Sequence, residues 1–386
     1  MKTSKLFTDF FESEKSSGIV LIICTALSLF LANSAFRESY EGIWYFPIGE
    51  HSLEHWINDG LMTIFFLLIG LELEREVYIG ELSNIKNALF PIVAAVGGML
   101  VPAGIYLMFN HGTPTQSGAG IPMATDIAFA LGVLSLLGSR VPTSLKVFLT
   151  ALAVIDDLGA ILVIALFYTD NLSLFNLGIA LAIMGVLFIF NRMKVSSWIP
   201  YVIGGIGMWY FMLNSGIHAT ISGVLLAFVI PFGDGSEKTI SSKMQHFLHK
   251  PVAFFILPVF ALANTAILIG DDWMEGLKHE NSIGVFLGLV VGKPLGILLF
   301  CFLVVTFGLC KLPRGLKWKH IFATGFMAGI GFTMSIFITL LAFKSQPEDI
   351  TISKIAIMIS SLVAGIIGYV FLSKTLKDVE VVEDEL

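Results

Sequence analysis

Residues 143–167 read TSLKVFLTALAVIDDLGAILVIALF. A helix needs about 20 predominantly apolar residues to cross a bilayer's hydrocarbon core, and this run supplies them. Two acids, Asp156 and Asp157, sit at its centre. Runs of the same kind recur on either side, near 17–33, 57–73, 87–108, 121–138, 172–190 and 198–212. Others follow near 216–231, 251–270, 282–305, 319–343 and 350–373. The chain reads as an all-α membrane protein of about 12 transmembrane helices, with residues 1–386 forming a single polytopic domain. Its polar parts are an N-terminal segment 1–16, an outer loop 36–55 and a tail 374–386.

Composition supports this class and excludes others. Hydrophobic residues make up 56% and charged residues 13%, where a soluble domain carries about 25% charged residues. The net charge of −6 comes largely from loops and the tail, without a basic stripe that could follow a phosphate backbone, so nucleic acid is excluded as a partner. Cys24, Cys301 and Cys310 lie in or beside apolar runs with no metal-ligand spacing, and read as lipid-facing or packed thiols without a disulfide. The first residues lack a short apolar core followed by a small-residue cleavage site, so the first apolar run is expected to be retained. Phe7, Phe10 and Phe11 suggest an interfacial amphipathic turn.

Assigning every Lys and Arg to alternate sides of twelve spans tests the topology. With the N-terminus inside, eighteen of the 23 basic residues fall on the inner side and four, Arg37, Lys278, Lys344 and Lys354, on the outer. That bias predicts cytoplasmic termini. Trp56, Trp198, Trp273 and Trp318 fall near span ends, where interfacial anchors belong. In the outer loop, Trp44, Tyr45 and Phe46 precede Pro47 and Gly49, a pattern that can turn a short hairpin lying on the membrane or meeting a second copy.

Four ionisable residues fall deep in spans: Asp126, Asp156, Asp157 and Lys293. At roughly 2.5–3.5 kcal/mol each on insertion scales, four unpaired charges would cost about 10 kcal/mol, comparable to the stability of a whole domain. Such groups face one another or a water-filled cavity, and by default mark an ion or proton path; buried salt bridges holding the bundle are the alternative. Neighbouring helical positions diverge by about 100°, so Asp156 and Asp157 cannot both point squarely at Lys293. Asp59, near a helix start, reads as a dipole-complementing acid. Histidine is the side chain suited to change charge across physiological pH, but the single His218, early in a span, reads as structural.

The segment Gly120-Ile-Pro-Met-Ala-Thr-Asp126 precedes only a short apolar run, and Pro122 and Thr125 argue against an unbroken helix there. Gly329-Ile-Gly-Phe-Thr333 places two glycines in the middle of the eleventh span. Paired interruptions of this sort point to a binding site between half-helices. Asp126 could offset facing positive helix ends and Lys293 facing negative ones.

The motifs Thr125-Asp-Ile-Ala-Phe-Ala-Leu-Gly132, Ile155-Asp-Asp-Leu-Gly159, Gly292-Lys-Pro-Leu-Gly296 and Gly329-Ile-Gly-Phe-Thr-Met-Ser335 resemble the NhaA family of bacterial Na⁺/H⁺ antiporters. Gly70-Leu-Glu-Leu-Glu-Arg-Glu76, Ser215-Gly-Ile-His-Ala-Thr220 and Leu257-Pro-Val-Phe-Ala-Leu-Ala-Asn264 agree, and the likeness runs from about residue 16 to 374. The resemblance implies inverted-topology repeats of helices 3–5 and 10–12, with discontinuous helices 4 and 11 crossing; NhaA is itself a standard example of that architecture. It implies Na⁺ or Li⁺ export against H⁺ across the bacterial inner membrane, without a cofactor. Asp156 and Asp157 become the cation and proton site, with Thr125 and Asp126 at the break and Lys293 as partner of Asp156. Glu72, Arg75, Glu76, His246 and His249 become a pH-responsive cluster, in which Gln245 stands where the family has a glutamate. The outer loop, shorter than in well-known members, would carry a homodimer contact.

In physical terms, a free aspartate holds no proton at neutral pH, whereas desolvation favours its protonated form. Na⁺ takes oxygen ligands, as other hard cations do, so carboxylates and a Thr125 hydroxyl could hold either protons or the cation. Release of a proton from each of two groups gives two H⁺ per Na⁺. Those groups are the two acids, or Asp157 and Lys293. A passive cation channel would need the same midplane charges. An intramembrane aspartyl protease would need two aspartates sharing a proton, but here they are adjacent and no Gly-x-Gly-Asp sequence occurs.

Overall fold

The computed structural model describes residues 5–169, 172–270 and 273–376, and most of them are helical. The tail from residue 377 lies outside the described residues, as do the side chains of residues 5–15, where the amphipathic turn is expected. Backbone groups in an apolar solvent must bond within their own segment, which makes helices the natural outcome for these runs. Among the described residues, seven helices are long and apolar enough to cross a membrane, or nine when each of two sharply bent pairs is taken as one span. Ser16–Ala32 and Ile199–Leu213 are shorter apolar helices.

Most apolar runs correspond to helices, and the differences have local causes. The helix expected near 251–270 runs over Ile240–Asn264. Thr239 starts it earlier by accepting a hydrogen bond from the Ser242 amide, so a polar half-turn region precedes the apolar run. The run near 216–231 is helical only over Ile221–Val229. Gly216 at φ 87 and the Ser215 hydroxyl, which accepts from the Ile217 amide, hold the preceding residues in a turn. The first helix begins at Lys5, ahead of the expected 17. In the loop 36–55, strands Pro47–Ile48 and His51–Ser52 pair antiparallel, Pro47 opposite Ser52, with Gly49 at φ 69 in the turn.

The chain divides into two compact units. The first comprises Met1–Ile23, Asn84–Ala160 and Ile267–Leu386; the second comprises Cys24–Ser83 and Ile161–Ala266. The first holds both bent pairs, Pro114–Met123 with Ile127–Ser135 at 42° and Trp318–Ala328 with Phe332–Ala342 at 50°. It also holds Glu280–Thr306, which passes through a π-helical turn at Gly288–Gly292 just before Lys293 and Pro294. A proline ring collides with the carbonyl four residues back, and the wider π turn gives that carbonyl room. A similar π turn, Val252–Ile256, precedes Pro258 in the second unit.

Candidate functional site

The first bent pair opens as a ten-residue 3₁₀ helix, Pro114–Met123, where such helices seldom exceed 3–4 residues. Pro122, without an amide hydrogen, cannot continue an α-helical ladder there. Ala124 and Asp126 are extended, with ψ of 151 and 98, and Asp126 becomes the N-cap of Ile127–Ser135. The second pair breaks at glycines that neighbours leave no room to enlarge. A Cβ at Gly329 would lie 2.5 Å from the Leu289 carbonyl oxygen, and one at Gly331 2.2 Å from the Ser335 hydroxyl.

Hydrogen bonds join the two breaks. The Asp126 amide donates to the Ile330 carbonyl at 2.7 Å, and the Ser335 hydroxyl to the Ile121 carbonyl at 2.8 Å. The Asp126 carboxylate accepts from the N-terminal turns of both following half-helices: Oδ1 from the Phe129 amide at 2.9 Å, Oδ2 from the Thr333 amide at 3.0 Å. The Thr333 hydroxyl donates to Oδ2 as well. One carboxylate therefore satisfies orphan donors of two helix N-termini and lies where both dipoles favour negative charge.

Thr125, Asp156, Asp157 and Lys293 are all fully buried, with 0% exposure. Lys293 Nζ lies 3.1 Å from Asp156 Oδ2 and donates to the Met123 carbonyl, at the C-terminal end of the 3₁₀ half-helix. The Thr125 hydroxyl lies 2.7 Å from the same Asp156 Oδ2 and 2.9 Å from the Ala328 carbonyl. Among the described residues, Asp156 Oδ1 has no hydrogen-bond partner. Asp157, the next residue on the helix, points about 100° away, so Lys293 engages Asp156 directly. Lys293 is carried to this position by close backbone packing: a Cβ on Gly97 would lie 2.4 Å from the Gly296 carbonyl oxygen, and one on Gly296 2.2 Å from that of Gly97.

The residues of the expected pH-responsive cluster lie in the second unit. Glu72 Oε1 is 4.0 Å from His249 Nδ1, Gln245 reaches the Glu72 carboxyl, and Arg75 and Glu76 stand within electrostatic range. His246 is exposed. Two other features of this unit were not legible in the sequence. Glu74 is buried at 5% exposure against Ser241, whose hydroxyl donates to Oε2 at 3.4 Å. Asp59 lies between two imidazoles, Oδ2 3.1 Å from His55 Nε2 and Oδ1 3.2 Å from His218 Nε2, while His218 Nδ1 meets the Thr220 hydroxyl at 2.7 Å. The only sequence signal for His55 is its i,i+4 spacing to Asp59. A groove of about 1690 Å³ also lies in the second unit, lined by Trp56, Trp209 and Phe247 with Arg192, Lys194 and Lys243; none of the buried carboxylates of the first unit lines it.

Known proteins share this arrangement of elements. The solved sodium proton antiporter MjNhaP1 of Methanocaldococcus jannaschii superposes with a TM-score of 0.56 at 14% identity, covering 93% of this chain and 92% of that one. In sequence, the Na(+)/H(+) antiporter NhaA 1 of Flavobacterium johnsoniae is 66% identical, over 96% of this chain and 97% of its own. The Na(+)/H(+) antiporter NhaA of Dechloromonas aromatica is 60% identical, over 96% of each. Residues 8–372 match the Na⁺/H⁺ antiporter 1 family. With nearly its full length matched, the chain belongs to the Na⁺/H⁺ antiporter 1 family.

Proposed function

We propose that this protein exports Na⁺ or Li⁺ from a bacterial cell in exchange for protons, by alternating access across the inner membrane. The observation that supports the reading best is the fully buried set of Asp156, Asp157, Thr125 and Lys293 beside two broken helices. Carboxylates buried this deeply are stable either protonated or in company with a cation. Asp156, Asp157 and the Thr125 hydroxyl bind the cation; the protons it displaces come from the two acids or from Asp157 and Lys293. Competition for one site couples the two fluxes, and two protons move inward for each cation outward. Asp126 offsets the facing N-termini at the breaks, and Lys293 the facing C-termini.

Around this site the chain forms one polytopic domain of twelve spans with both termini in the cytoplasm. Helices 3–5 and 10–12 are inverted repeats whose broken members cross. Glu72, Arg75, Glu76, His246 and His249 adjust activity to pH. Membrane lipid surrounds the bundle, and the hairpin within residues 36–55 meets its copy in a homodimer, a role suited to the exposed Tyr45, Phe46 and Ile48.

Everted vesicles carrying the protein test the exchange directly. Addition of Na⁺ at a series of pH values is expected to release protons from the acidified lumen. Na⁺ flux driven by membrane potential alone, with no proton movement, would instead establish a channel.

A further inference from the structure

The half-helix Pro114–Met123 has little within its own sequence to hold it. Gly118, Gly120 and Pro122 are poor helix formers, and the ten-residue 3₁₀ form is far longer than such helices usually run. Its order must come from outside.

At one end the ties belong to the site: the Ser335 hydroxyl donates to the Ile121 carbonyl at 2.8 Å, and Lys293 donates to that of Met123. At the other end both oxygens of Thr115 are engaged. Its carbonyl accepts from the Tyr106 hydroxyl at 2.7 Å, and its own hydroxyl donates to Asn110 Oδ1 at 2.7 Å. Tyr106 and Asn110 stand one turn apart on Asn87–Asn110 and so share a face. From that face two connections reach the start of Glu280–Thr306. Tyr106 Oη lies 2.9 Å from Asn281 Oδ1, and Asn110 Nδ2 donates to the Glu280 carbonyl at 3.0 Å. Asn281 Nδ2 donates in turn to Ser353 Oγ at 2.7 Å. Tyr106, Asn110, Asn281 and Ser353 are at most 2% exposed, where a polar group without a partner is costly, so the arrangement has few alternatives. Gly118 leaves room for it, since a Cβ there would lie 2.3 Å from the Tyr106 hydroxyl oxygen.

Glu280–Thr306 is also the helix that carries Lys293. The half-helix is therefore fastened to one neighbour at both ends, through Thr115 and through Met123. We propose that Tyr106 and Asn110 are positioning residues for the cation site: by clamping Thr115 to the start of Glu280–Thr306, they fix the register at which the Met123 carbonyl meets Lys293. The inference rests on the exchange reading above and names groups on which that site depends without touching it. With the clamp released, the glycines and Pro122 let the segment fray, and the Met123 carbonyl no longer holds the ammonium group. Lys293 is then left to Asp156, and a cation must displace a lysine bound more firmly to the carboxylate it needs.

Hydrogen–deuterium exchange of the purified full-length protein reads the clamp without any transport. In Tyr106→Phe, which keeps the ring, and in Thr115→Val, which keeps the shape, amides of residues 115–123 should exchange several-fold faster. Those of Leu174–Arg192, in the other unit, should keep their wild-type rate. In vesicles the same variants should raise the apparent KM for Na⁺ roughly fivefold, the worth of one net hydrogen bond, with kcat little changed. Thr115→Ser, which retains the hydroxyl, should give wild-type values of both. Wild-type exchange over 115–123 in the two variants overturns the clamp, and so does local loosening with an unchanged KM. Loosening of every segment alike also overturns it, because Tyr106 and Thr115 would then be general supports of the fold. Failure of the exchange reading shows separately, as wild-type vesicles in which Na⁺ moves no protons whatever the deuterium uptake.

Discussion

Asp156 and Asp157 are adjacent and equally buried, and Asp156 lies against both Lys293 and Thr125. Replacing Asp157 by Asn keeps the volume and removes the charge that would answer a cation. Asp157→Asn is expected to abolish Na⁺-driven proton movement in vesicles while leaving the thermal unfolding of the purified protein near that of wild type. Exchange with unchanged Na⁺ affinity would remove Asp157 from the site. Asp126 behaves differently, because its carboxylate caps two half-helices. Loss of one cap costs about 1 kcal/mol, so Asp126→Ala should destabilise the protein by roughly 2 kcal/mol or more, read as a lowered unfolding temperature in detergent. The four intramembrane charges were legible in the sequence because a charge in an apolar run is costly and therefore conspicuous. The Ala328 and Met123 carbonyls that meet Thr125 and Lys293 were not. A backbone oxygen becomes available only where a helix ends, and the exact residue of that end depends on packing from a distant segment.

At the scale of elements, glycine separates functional packing from mere tolerance. Gly296 faces the backbone of Gly97, and a Cβ there would lie 2.2 Å from that carbonyl oxygen. Gly296→Ala must push Asn87–Asn110 away from Glu280–Thr306, and Lys293 lies one turn earlier on the latter helix. Overpacking of this kind costs about 1–3 kcal/mol, and the displacement should also weaken exchange by separating Lys293 from Asp156. Gly178, in the helix Leu174–Arg192, has open space where a Cβ would lie. Gly178→Ala should therefore leave transport unchanged and stabilise the helix by up to about 1 kcal/mol. Parallel melting curves and vesicle assays of the two variants check both expectations. Most apolar runs were legible as helices because twenty such residues have few other stable fates in lipid. Their ends were less so: Thr239 starts a helix well ahead of its apolar run, and the Ser215-Gly216 turn shortens another. Pro122 and the Gly329–Gly331 pair did signal the breaks, but the ten-residue 3₁₀ helix had no distinct signal. Its conformation is set by neighbours such as Tyr106, whose hydroxyl donates to the Thr115 carbonyl.

At the scale of the whole molecule, the net charge moved per cycle decides between mechanisms that share every residue named above. With two protons entering for each Na⁺ leaving, one positive charge moves inward per turnover. An interior-negative potential of 100 mV then adds about 2.3 kcal/mol to Na⁺ export, enough to sustain a further Na⁺ gradient of roughly fiftyfold. An exchange of one proton for one Na⁺ would gain nothing from the potential, because its charges cancel. Proteoliposomes with a potassium diffusion potential distinguish the two without any knowledge of which groups carry the protons. Imposing a potential that is negative on the side from which Na⁺ departs, at equal pH on both sides, should drive Na⁺ out against its own gradient and bring protons in. If Na⁺ efflux ignores the potential while still moving protons, only one of the buried groups cycles its proton. Lys293 and Asp156 would then remain a permanent ion pair, leaving Asp157 to carry the exchange alone.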